Sequence, residues 1–376
     1  MKVTLNRTEF MQELQTVQRA ISSKTTIPIL TGVKLVLTDK GLTLTGSNAD
    51  ISIETFLSVE KEKVQMKIEQ TGAIILQARF FSEIIRRLPD NTVTLEVIEN
   101  NQVAITSGKA NFTVNGLDAD SYPHLPVVES QDRIEVPAHI LNKIVNETVF
   151  AVSQHESRPI LTGVHFVLEN KKLLAVATDS HRLSQRVIPL ESGEANFNIV
   201  IPGKSLTELS RSLTDEEEAI QISIMDNQVL FQTNTMKFYS RLLEGTYPDT
   251  NRLIPSSFNT EIEFSVPELL SAIERASLLS HEGRNNIVRL SINENSVILY
   301  GNSPEMGKVE EDLSYEQVSG EPLEISFNPD YMKAALRAFG DTNITIRFIS
   351  AIRPFTLEPT ESQGSFIQLI TPVRTN

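Results

Sequence analysis

The hexapeptide PILTGV occupies residues 28–33 and occurs again, unchanged, at residues 159–164. The two copies begin 131 positions apart in a chain of 376 residues. An identical apolar turn at this distance indicates a repeated fold unit. A repeat of domain size also favours a function that depends on how the units are arranged, rather than on one catalytic pocket.

The repeat continues beyond the hexapeptide. Aligning Val33, Val164 and Val288 brings three segments into register: VKLVLTDKGLTLTG (33–46), VHFVLENKKLLAVA (164–177) and VRLSINENSVILYG (288–301). Each is an alternating apolar strand, a polar turn and a second strand, which is the pattern of a β-hairpin. The spacings of 131 and 124 residues predict three units of domain size.

A helix is predicted ahead of each hairpin, in residues 7–22, 137–153 and 266–280. Apolar residues recur there at helical spacing and form one stripe per helix. The stripes are Phe10, Leu14, Val17 and Ile21; Ile140, Ile144 and Ala151; and Leu269, Ile273 and Ala276.

The second half of each unit repeats this plan, because residues 76–89, 201–214 and 327–340 each predict a strand end followed by a short helix and then alternating strands. We therefore predict an α+β fold of three repeated domains, each with two helices and antiparallel sheets. The predicted boundaries are 1–127, 128–254 and 255–376.

Composition limits the class of protein. The chain has no cysteine, its N-terminus MKVTLNRTEFMQEL has no apolar signal core, and no apolar run reaches about 18 residues. We expect a cytoplasmic protein. The net charge of −14 argues against nucleic-acid binding, unless cations are concentrated on one surface.

No motif requires an enzyme. Asp179, Ser180 and His181 have the residue types of a hydrolytic triad, but consecutive residues do not converge on one another. Gly203-Lys204-Ser205 resembles the end of a phosphate-binding loop, yet Asn198 stands where the first glycine belongs. The six histidines show no ligand spacing. We predict no catalytic residue, metal or cofactor. A hydrolase centred on Asp179 and His181 and a scaffold that binds only proteins remain as alternatives.

Basic residues recur on the polar sides of the predicted helices. On a helical wheel they point away from the apolar stripe, or lie at its flank in the case of Lys143. They are Arg19, Arg86, Arg87, Lys143, Lys204, Arg211, Arg275 and Arg337. A single such helix is usually only a solvated face, but six equivalent helices with the same feature indicate a cationic surface.

Four segments resemble the family of bacterial sliding clamps, the beta subunit of DNA polymerase III: KTTIPIL (24–30), ATDSHRL (177–183), TYPDTNRLIP (246–255) and LITPVR (369–374). The resemblance covers the whole chain. It implies a DNA clamp fold in which each chain forms half of a head-to-tail homodimeric ring. The ring would enclose double-stranded DNA without regard to sequence, near the nucleoid, with no membrane partner. DNA polymerases, a clamp loader and repair proteins would bind it through short linear motifs.

The resemblance also implies three sets of functional residues. The peptide-binding pocket would contain Leu161, Thr178, His181, Arg182, Leu183, Pro248, Arg252, Leu253, Leu369, Ile370, Pro372, Val373 and Arg374, with the three arginines as rim donors. The DNA-facing residues would be Arg19, Lys24, Arg86, Arg158, Arg211, Arg275 and Arg337. The dimer interface would contain Phe112, Val114, Leu278 and Leu279.

Overall fold

The structure is a computed structural model that describes residues 1–125, 133–155, 157–190, 195–214, 218–281 and 286–374. The chain divides into two compact units. The first contains Met1–His139 and Lys204–Leu242, and the second contains Ile140–Gly203 and Leu243–Asn376.

The described residues form six α-helices, which are α1 (Arg7–Gln18), α2 (Ala78–Arg87), α3 (Ala138–Thr148), α4 (Gly203–Ser212), α5 (Val266–His281) and α6 (Pro329–Phe339). Side chains in front of the helices determine where several of them begin. The Asn6 side chain accepts hydrogen bonds from the amides of Thr8 and Glu9, and the Asn328 side chain accepts one from Asp330. These acceptors satisfy amides that have no partner within the helix.

Twenty-six strands accompany the helices in the described ranges. The first half of the chain contains β1 (Lys2–Asn6), β2 (Gly32–Thr38), β3 (Gly41–Ser47), β4 (Ile51–Ser58), β5 (Lys67–Gln70), β6 (Gly72–Gln77), β7 (Thr92–Val97), β8 (Gln102–Ser107), β9 (Ala110–Asn115), β10 (Arg133–Pro137), β11 (Gly163–Glu169), β12 (Lys172–Thr178) and β13 (Arg182–Pro189). The second half contains β14 (Phe197–Pro202), β15 (Ala219–Met225), β16 (Gln228–Gln232), β17 (Met236–Arg241), β18 (Thr260–Ser265), β19 (Val288–Asn293), β20 (Ser296–Ser303), β21 (Gly307–Asp312), β22 (Gln317–Gly320), β23 (Leu323–Phe327), β24 (Asn343–Phe348), β25 (Phe355–Pro359) and β26 (Phe366–Ile370).

The first unit has two antiparallel sheets. One has five strands in the order β5-β1-β7-β8-β9, and the other has eight in the order β10-β15-β16-β17-β4-β3-β2-β6. Phe10 of α1 packs edge-on against Phe81 of α2, with ring centroids 5.9 Å apart. Pairing of β4 with β17, in which Ile53 lies opposite Phe238, joins segments that are distant in sequence into one continuous sheet.

The second unit also has two antiparallel sheets. One has nine strands in the order β14-β11-β12-β13-β26-β25-β24-β18-β22, and the other has four in the order β21-β20-β19-β23. Helices α5 and α6 cover a core of buried side chains that includes Ile273, Phe327 and Leu336. The β13–β26 pair places Leu183 opposite Leu369 and joins strands β11–β14 to strands β18, β22 and β24–β26 in one sheet.

The hexapeptide PILTGV forms the same turn in both copies. Pro28–Thr31 and Pro159–Thr162 are single 3-10 turns, in which each threonine hydroxyl donates to the carbonyl oxygen of the proline, at 2.7 and 2.6 Å. The leucines are buried. The glycine that follows begins a strand that lies very close to the neighbouring strand. A Cβ on Gly163 would lie only 2.7 Å from the carbonyl oxygen of Ile201. Close packing therefore requires a small residue there.

The predicted hairpins and the two helices of each repeat are confirmed by these elements. Some details differ. Ile140 is only half-buried and Leu141 takes its place in the core, while Ile21 lies beyond the end of α1 and Ala151 beyond the end of α3. Nine strands were not predicted: β1, β10 and β18, each directly before a helix, and β4, β5, β13, β21, β22 and β25. The boundary at residue 127 lies outside the described residues, and the three sets of domain limits stay a prediction.

Candidate functional site

A tight turn between β12 and β13 organises one end of the second unit. The Asp179 carboxylate accepts hydrogen bonds from the amides of His181 and Arg182, at 2.9 and 3.0 Å, and pairs with Arg182 Nε at 3.0 Å. Ser180 has a φ of +78°, a left-handed conformation that a turn of this kind imposes. The aspartate therefore acts as a turn acceptor, and its carboxylate is not directed at the His181 ring as a catalytic triad would require.

Arg182 is held from several sides. Besides its ion pair with Asp179, its guanidinium lies 4.8 Å from the ring centroid of Tyr331 and 5.5 Å from that of Phe150. The His181 ring stacks on Tyr331 as well. Arg182 is therefore fixed in the turn by its neighbours, and its expected role as a donor at the pocket rim stays a prediction.

A small apolar cluster lies beneath this turn, and we name it the floor cluster. Its members are Leu161, Val176, Leu183, Val200, Tyr247 and Leu369, all buried, with Ile160 and Leu243 packed against them. The second PILTGV copy supplies Leu161, while the β13–β26 pair supplies Leu183 and Leu369. Three distant segments of the chain therefore converge on one point of the second unit.

Tyr247 ties the floor cluster to the turn. Its hydroxyl accepts a hydrogen bond from the Thr178 amide at 3.1 Å, and its ring stacks on His165 with centroids 4.7 Å apart. Burial raises the pKa of Tyr247, and burial also lowers the pKa of His165, whose Nε2 lies 2.7 Å from Asn198 Oδ1. Both rings are consequently neutral at pH 7 and form an apolar wall with satisfied polar ends.

An exposed lip follows Tyr247 directly. Pro248 is exposed, and Leu253, at the end of the 3-10 turn Thr250–Leu253, is 48% exposed. Arg252 is also exposed, although its Nε pairs with Asp249 at 2.8 Å. Pro248 and Leu253 therefore present apolar surface to solvent within a few residues of Tyr247, a member of the floor cluster.

The C-terminal segment is fixed to the turn between β12 and β13 and to β23 by backbone hydrogen bonds. The Thr371 amide donates to the carbonyl oxygen of His181 at 2.9 Å, and the Val373 amide donates to that of Ser326 at 2.7 Å. Pro372 is buried, Val373 is half-buried and Arg374 is exposed. The floor cluster, the lip of Pro248 and Leu253, and the tail of Pro372, Val373 and Arg374 together make the candidate groove.

Of the residues expected in the pocket, Leu161, Leu183 and Leu369 meet in the floor cluster and Thr178 is joined to it through Tyr247, while the binding role of the whole set stays a prediction. Ile370 is an exception, because it packs in the core covered by α5 and α6 and not in the floor cluster. Tyr247, His165 and Tyr331 were not singled out from the sequence. Tyr247 stands inside the quoted segment TYPDTNRLIP, which is a usable signal, but only tertiary contacts identify the other two.

The residues expected to face DNA are exposed, and most already have a partner. Ion pairs join Arg19 and Arg211 to Glu208, Arg86 to Glu83, Arg275 to Glu311 and Arg337 to Glu274. Arg158 donates to the Ser180 hydroxyl at 3.2 Å. Among the described residues, Lys24 makes no ion pair within 4 Å.

The residues expected at a subunit interface are divided between the two units. Phe112 and Val114 lie on β9, the last strand of the five-stranded sheet, and Phe112 is 42% exposed. In the second unit, Leu278 of α5 is 71% exposed and Leu279 is half-buried. Phe80 of α2 is a further exposed aromatic side chain that was not singled out from the sequence.

Within the described ranges, no group of three or more His, Asp or Glu side chains is arranged to hold a metal ion. No helix there is long and apolar enough to span a membrane.

Two solved structures resemble this chain over its full length. The crystal structure of the DNA polymerase sliding clamp from Bacillus subtilis matches with a TM-score of 0.97 and 49% identity over all of both chains. The beta chain of DNA polymerase III from Streptococcus pneumoniae TIGR4 matches with a TM-score of 0.97 and 48% identity, again over all of both chains. The fold is that of a DNA clamp, with three clamp domains built from helices and antiparallel sheets.

The family follows from the sequence comparisons. Profiles of the N-terminal, central and C-terminal domains of the DNA polymerase III beta subunit match residues 1–126, 135–249 and 251–374. The beta sliding clamp of Bacillus subtilis is 50% identical over the full length of both proteins. The chain therefore belongs to the DNA polymerase III beta subunit family. It is a DNA sliding clamp, a processivity factor of replication, in a family that works without a catalytic step.

Proposed function

We propose that two copies of the chain close head to tail into a ring that encloses duplex DNA. The ring holds DNA without reading its sequence and acts at the nucleoid in the cytoplasm. The candidate groove holds polymerases, the clamp loader and repair proteins by short linear motifs. This role explains why the chain repeats one unit three times, since a closed ring around a cylinder is most simply built from like units.

Two open sheet edges are the observation that carries ring closure. The five-stranded sheet ends at β9 and the four-stranded sheet ends at β21. Joined edge to edge between two copies, they would give nine strands, which matches the nine-stranded sheet already present in the second unit. Exposed strand edges are a liability unless they are paired, so pairing β9 with β21 removes the liability and supports the dimer.

The candidate groove supports the proposal that partner proteins are tethered to the clamp. An extended segment with one or two Leu or Phe anchors fits a surface made of Leu253, Pro248 and Val373 above the floor cluster. A short peptide loses conformational freedom when it binds and buries little area. We therefore expect a dissociation constant of about 1 μM, or about −8 kcal/mol. Weak binding lets different partners exchange on one clamp.

Topological retention is the first expected result. Protein loaded by a clamp loader onto nicked circular duplex should stay bound during gel filtration at high salt. The protein should leave once a restriction enzyme linearises the DNA, because a ring can slide off the free ends of the DNA. Blocking both ends of the linear DNA with bulky protein adducts is the control and should restore retention. Equal loss from circular and linear DNA would show that the protein holds DNA only by surface contacts.

A second expected result concerns Lys24 and Arg158, two cations that were expected to face DNA. Lys24 and Arg158 are exposed, and neither forms an ion pair with a carboxylate in the described residues. Replacing both with alanine should weaken duplex binding and lower the slope of log affinity against log salt by about 0.9 for each lost phosphate contact. Fluorescence anisotropy across a salt series measures both quantities, and sedimentation should show an intact dimer.

The matched control also removes two positive charges, but from a different part of the chain. Lys40 and Lys172 are exposed lysines of the hairpins β2–β3 and β11–β12. Their double alanine variant should bind DNA with an unchanged salt slope. If the two variants behaved alike, Lys24 and Arg158 would not be phosphate contacts.

A further inference from the structure

Glutamates accompany the arginines on the exposed helix faces. Both Glu83 carboxylate oxygens lie 2.7 Å from Arg86 Nη2, and Arg211 Nη1 donates to Glu208 at 3.0 Å. Arg337 Nη2 donates to Glu274 at 2.8 Å. The cations on these helices are therefore largely neutralised by neighbours of the same chain.

The pairing recurs at one position of the repeat. Arg86, Arg211 and Arg337 each stand ten residues into the aligned segments 76–89, 201–214 and 327–340. In the first two segments the glutamate stands three residues earlier in the same helix, as Glu83 and Glu208.

In the third segment that position is Ala334, and the carboxylate comes instead from Glu274 of the neighbouring helix α5. All three equivalent arginines are therefore paired with a glutamate, although the glutamate of the third comes from a different helix, and this indicates that the pairing itself has a role.

Stability of the fold does not account for the pairs. The side chains of Arg86, Arg211 and Arg337 are more than half exposed. Ion pairs in solvent contribute little to the free energy of folding. The pairing also has an electrostatic signature, because hydrogen bonding from Arg86 lowers the pKa of Glu83 and hydrogen bonding from Arg275 lowers that of Glu311.

We propose that Glu83, Glu208 and Glu274 are built-in counterions that keep DNA weakly held inside the ring. This inference rests on the proposed function, in which the helix faces surround the duplex. A phosphate that approaches Arg86 must compete with a carboxylate already bound there. Less is then gained from releasing solution counterions, which is the main source of affinity for DNA. Weak contacts of this kind position the duplex while allowing it to slide.

Glu208 connects two helices in this arrangement. It pairs with Arg211 and also lies 3.6 Å from Arg19 of α1, so one carboxylate neutralises cations on two helices. Glu83 likewise pairs with two arginines, Arg86 and Arg87, although both belong to its own helix. Replacing either glutamate alone frees two arginines, and we expect each substitution to have a larger effect than replacing Glu274.

The test is the triple variant Glu83→Gln, Glu208→Gln and Glu274→Gln, which preserves side-chain size and removes the charge. Duplex affinity at low salt should rise at least about tenfold, and the salt slope should steepen by about 0.9 for each phosphate that a freed arginine contacts. Diffusion of the loaded clamp along single DNA molecules should slow. Because the pairs are exposed, the melting temperature should stay within a few degrees, and Glu208→Gln alone should give a smaller change in the same direction.

A matched triple variant separates this effect from net charge. Glu54, Glu69 and Glu324 lie on strands and pair with Lys237 at 3.3 Å, Lys2 at 3.2 Å and Arg289 at 3.9 Å. Their change to glutamine removes the same charge from the sheets. It should leave affinity and sliding close to wild type.

The outcomes distinguish the inference from the function on which it rests. Equal gains in affinity from both triple variants would show an effect of net charge and overturn the inference. Unchanged affinity in the helix variant, with normal retention of wild-type protein on circular DNA, would overturn the inference alone. Failure of wild-type protein to stay on circular DNA would instead overturn the proposed ring.

Discussion

Replacing Leu278 and Leu279 with alanine is expected to turn the dimer into monomers. Leu278 is 71% exposed and Leu279 is half-buried in the single chain, so the fold itself loses little. A closed head-to-tail dimer has two equivalent interfaces, so a loss of binding free energy at one interface occurs at the other as well. If truncation at each interface costs about 3 kcal/mol, the dimer dissociation constant rises about 10⁴-fold. Sedimentation velocity over a range of protein concentrations measures this change.

The control for this experiment is Ile352→Ala, which shortens another exposed aliphatic side chain of the second unit. It should leave the dimer unchanged. The double leucine variant should also fail to stay on circular DNA, since a monomer does not close around it. A dimer that persists at low micromolar concentration would place the interface elsewhere, with Phe80 as the next residue to examine.

Removing residues 372–376 is expected to abolish peptide binding while sparing the dimer. The deletion takes away Pro372, Val373 and Arg374 but leaves β26 and its pairing with β13. Two apolar contacts and one charge-assisted hydrogen bond together account for about 3 kcal/mol or more. The dissociation constant should therefore rise at least about 100-fold. Calorimetry with a synthetic polymerase-tail peptide carrying Leu and Phe anchors gives the result.

A shorter deletion provides the control. Removing only residues 375 and 376, which lie outside the described residues, keeps the whole candidate groove and should preserve affinity. Dimerisation and retention on circular DNA should be normal in both truncated proteins, because β9, β21 and α5 are untouched. Wild-type affinity after removal of residues 372–376 would mean that the peptide binds at another surface.

Ring closure and DNA binding place opposite demands on the strength of contacts. A clamp that encloses DNA needs a strong closure between subunits and only weak contacts with the duplex. Exposed leucine and phenylalanine side chains beside open strand edges suit the first requirement. Arginines that are paired with glutamates suit the second.

Local patterns in the sequence were enough to predict much of the fold. Period-two alternation after Val33, Val164 and Val288 predicted the hairpins, and apolar stripes such as Phe10, Leu14 and Val17 predicted helices with one buried face. Both patterns reflect side-chain directions set by neighbouring residues along the chain. The repeated PILTGV predicted a repeated turn for the same reason, because its proline, threonine and glycine act within a few residues of one another.

Long-range contacts decided what the sequence did not reveal. The pairing of β4 with β17 and of β13 with β26 joins strands that are far apart in the chain, and no local pattern specifies such partners. Arg182 was expected at the rim of a pocket, and only the tertiary structure revealed that Tyr331, about 150 positions later, lies against its guanidinium. A helical wheel predicted that Arg337 faces away from the core. Only the packing of α5 against α6 determined that Glu274 would neutralise it, because an ion pair depends on distance in space and not on position in the sequence.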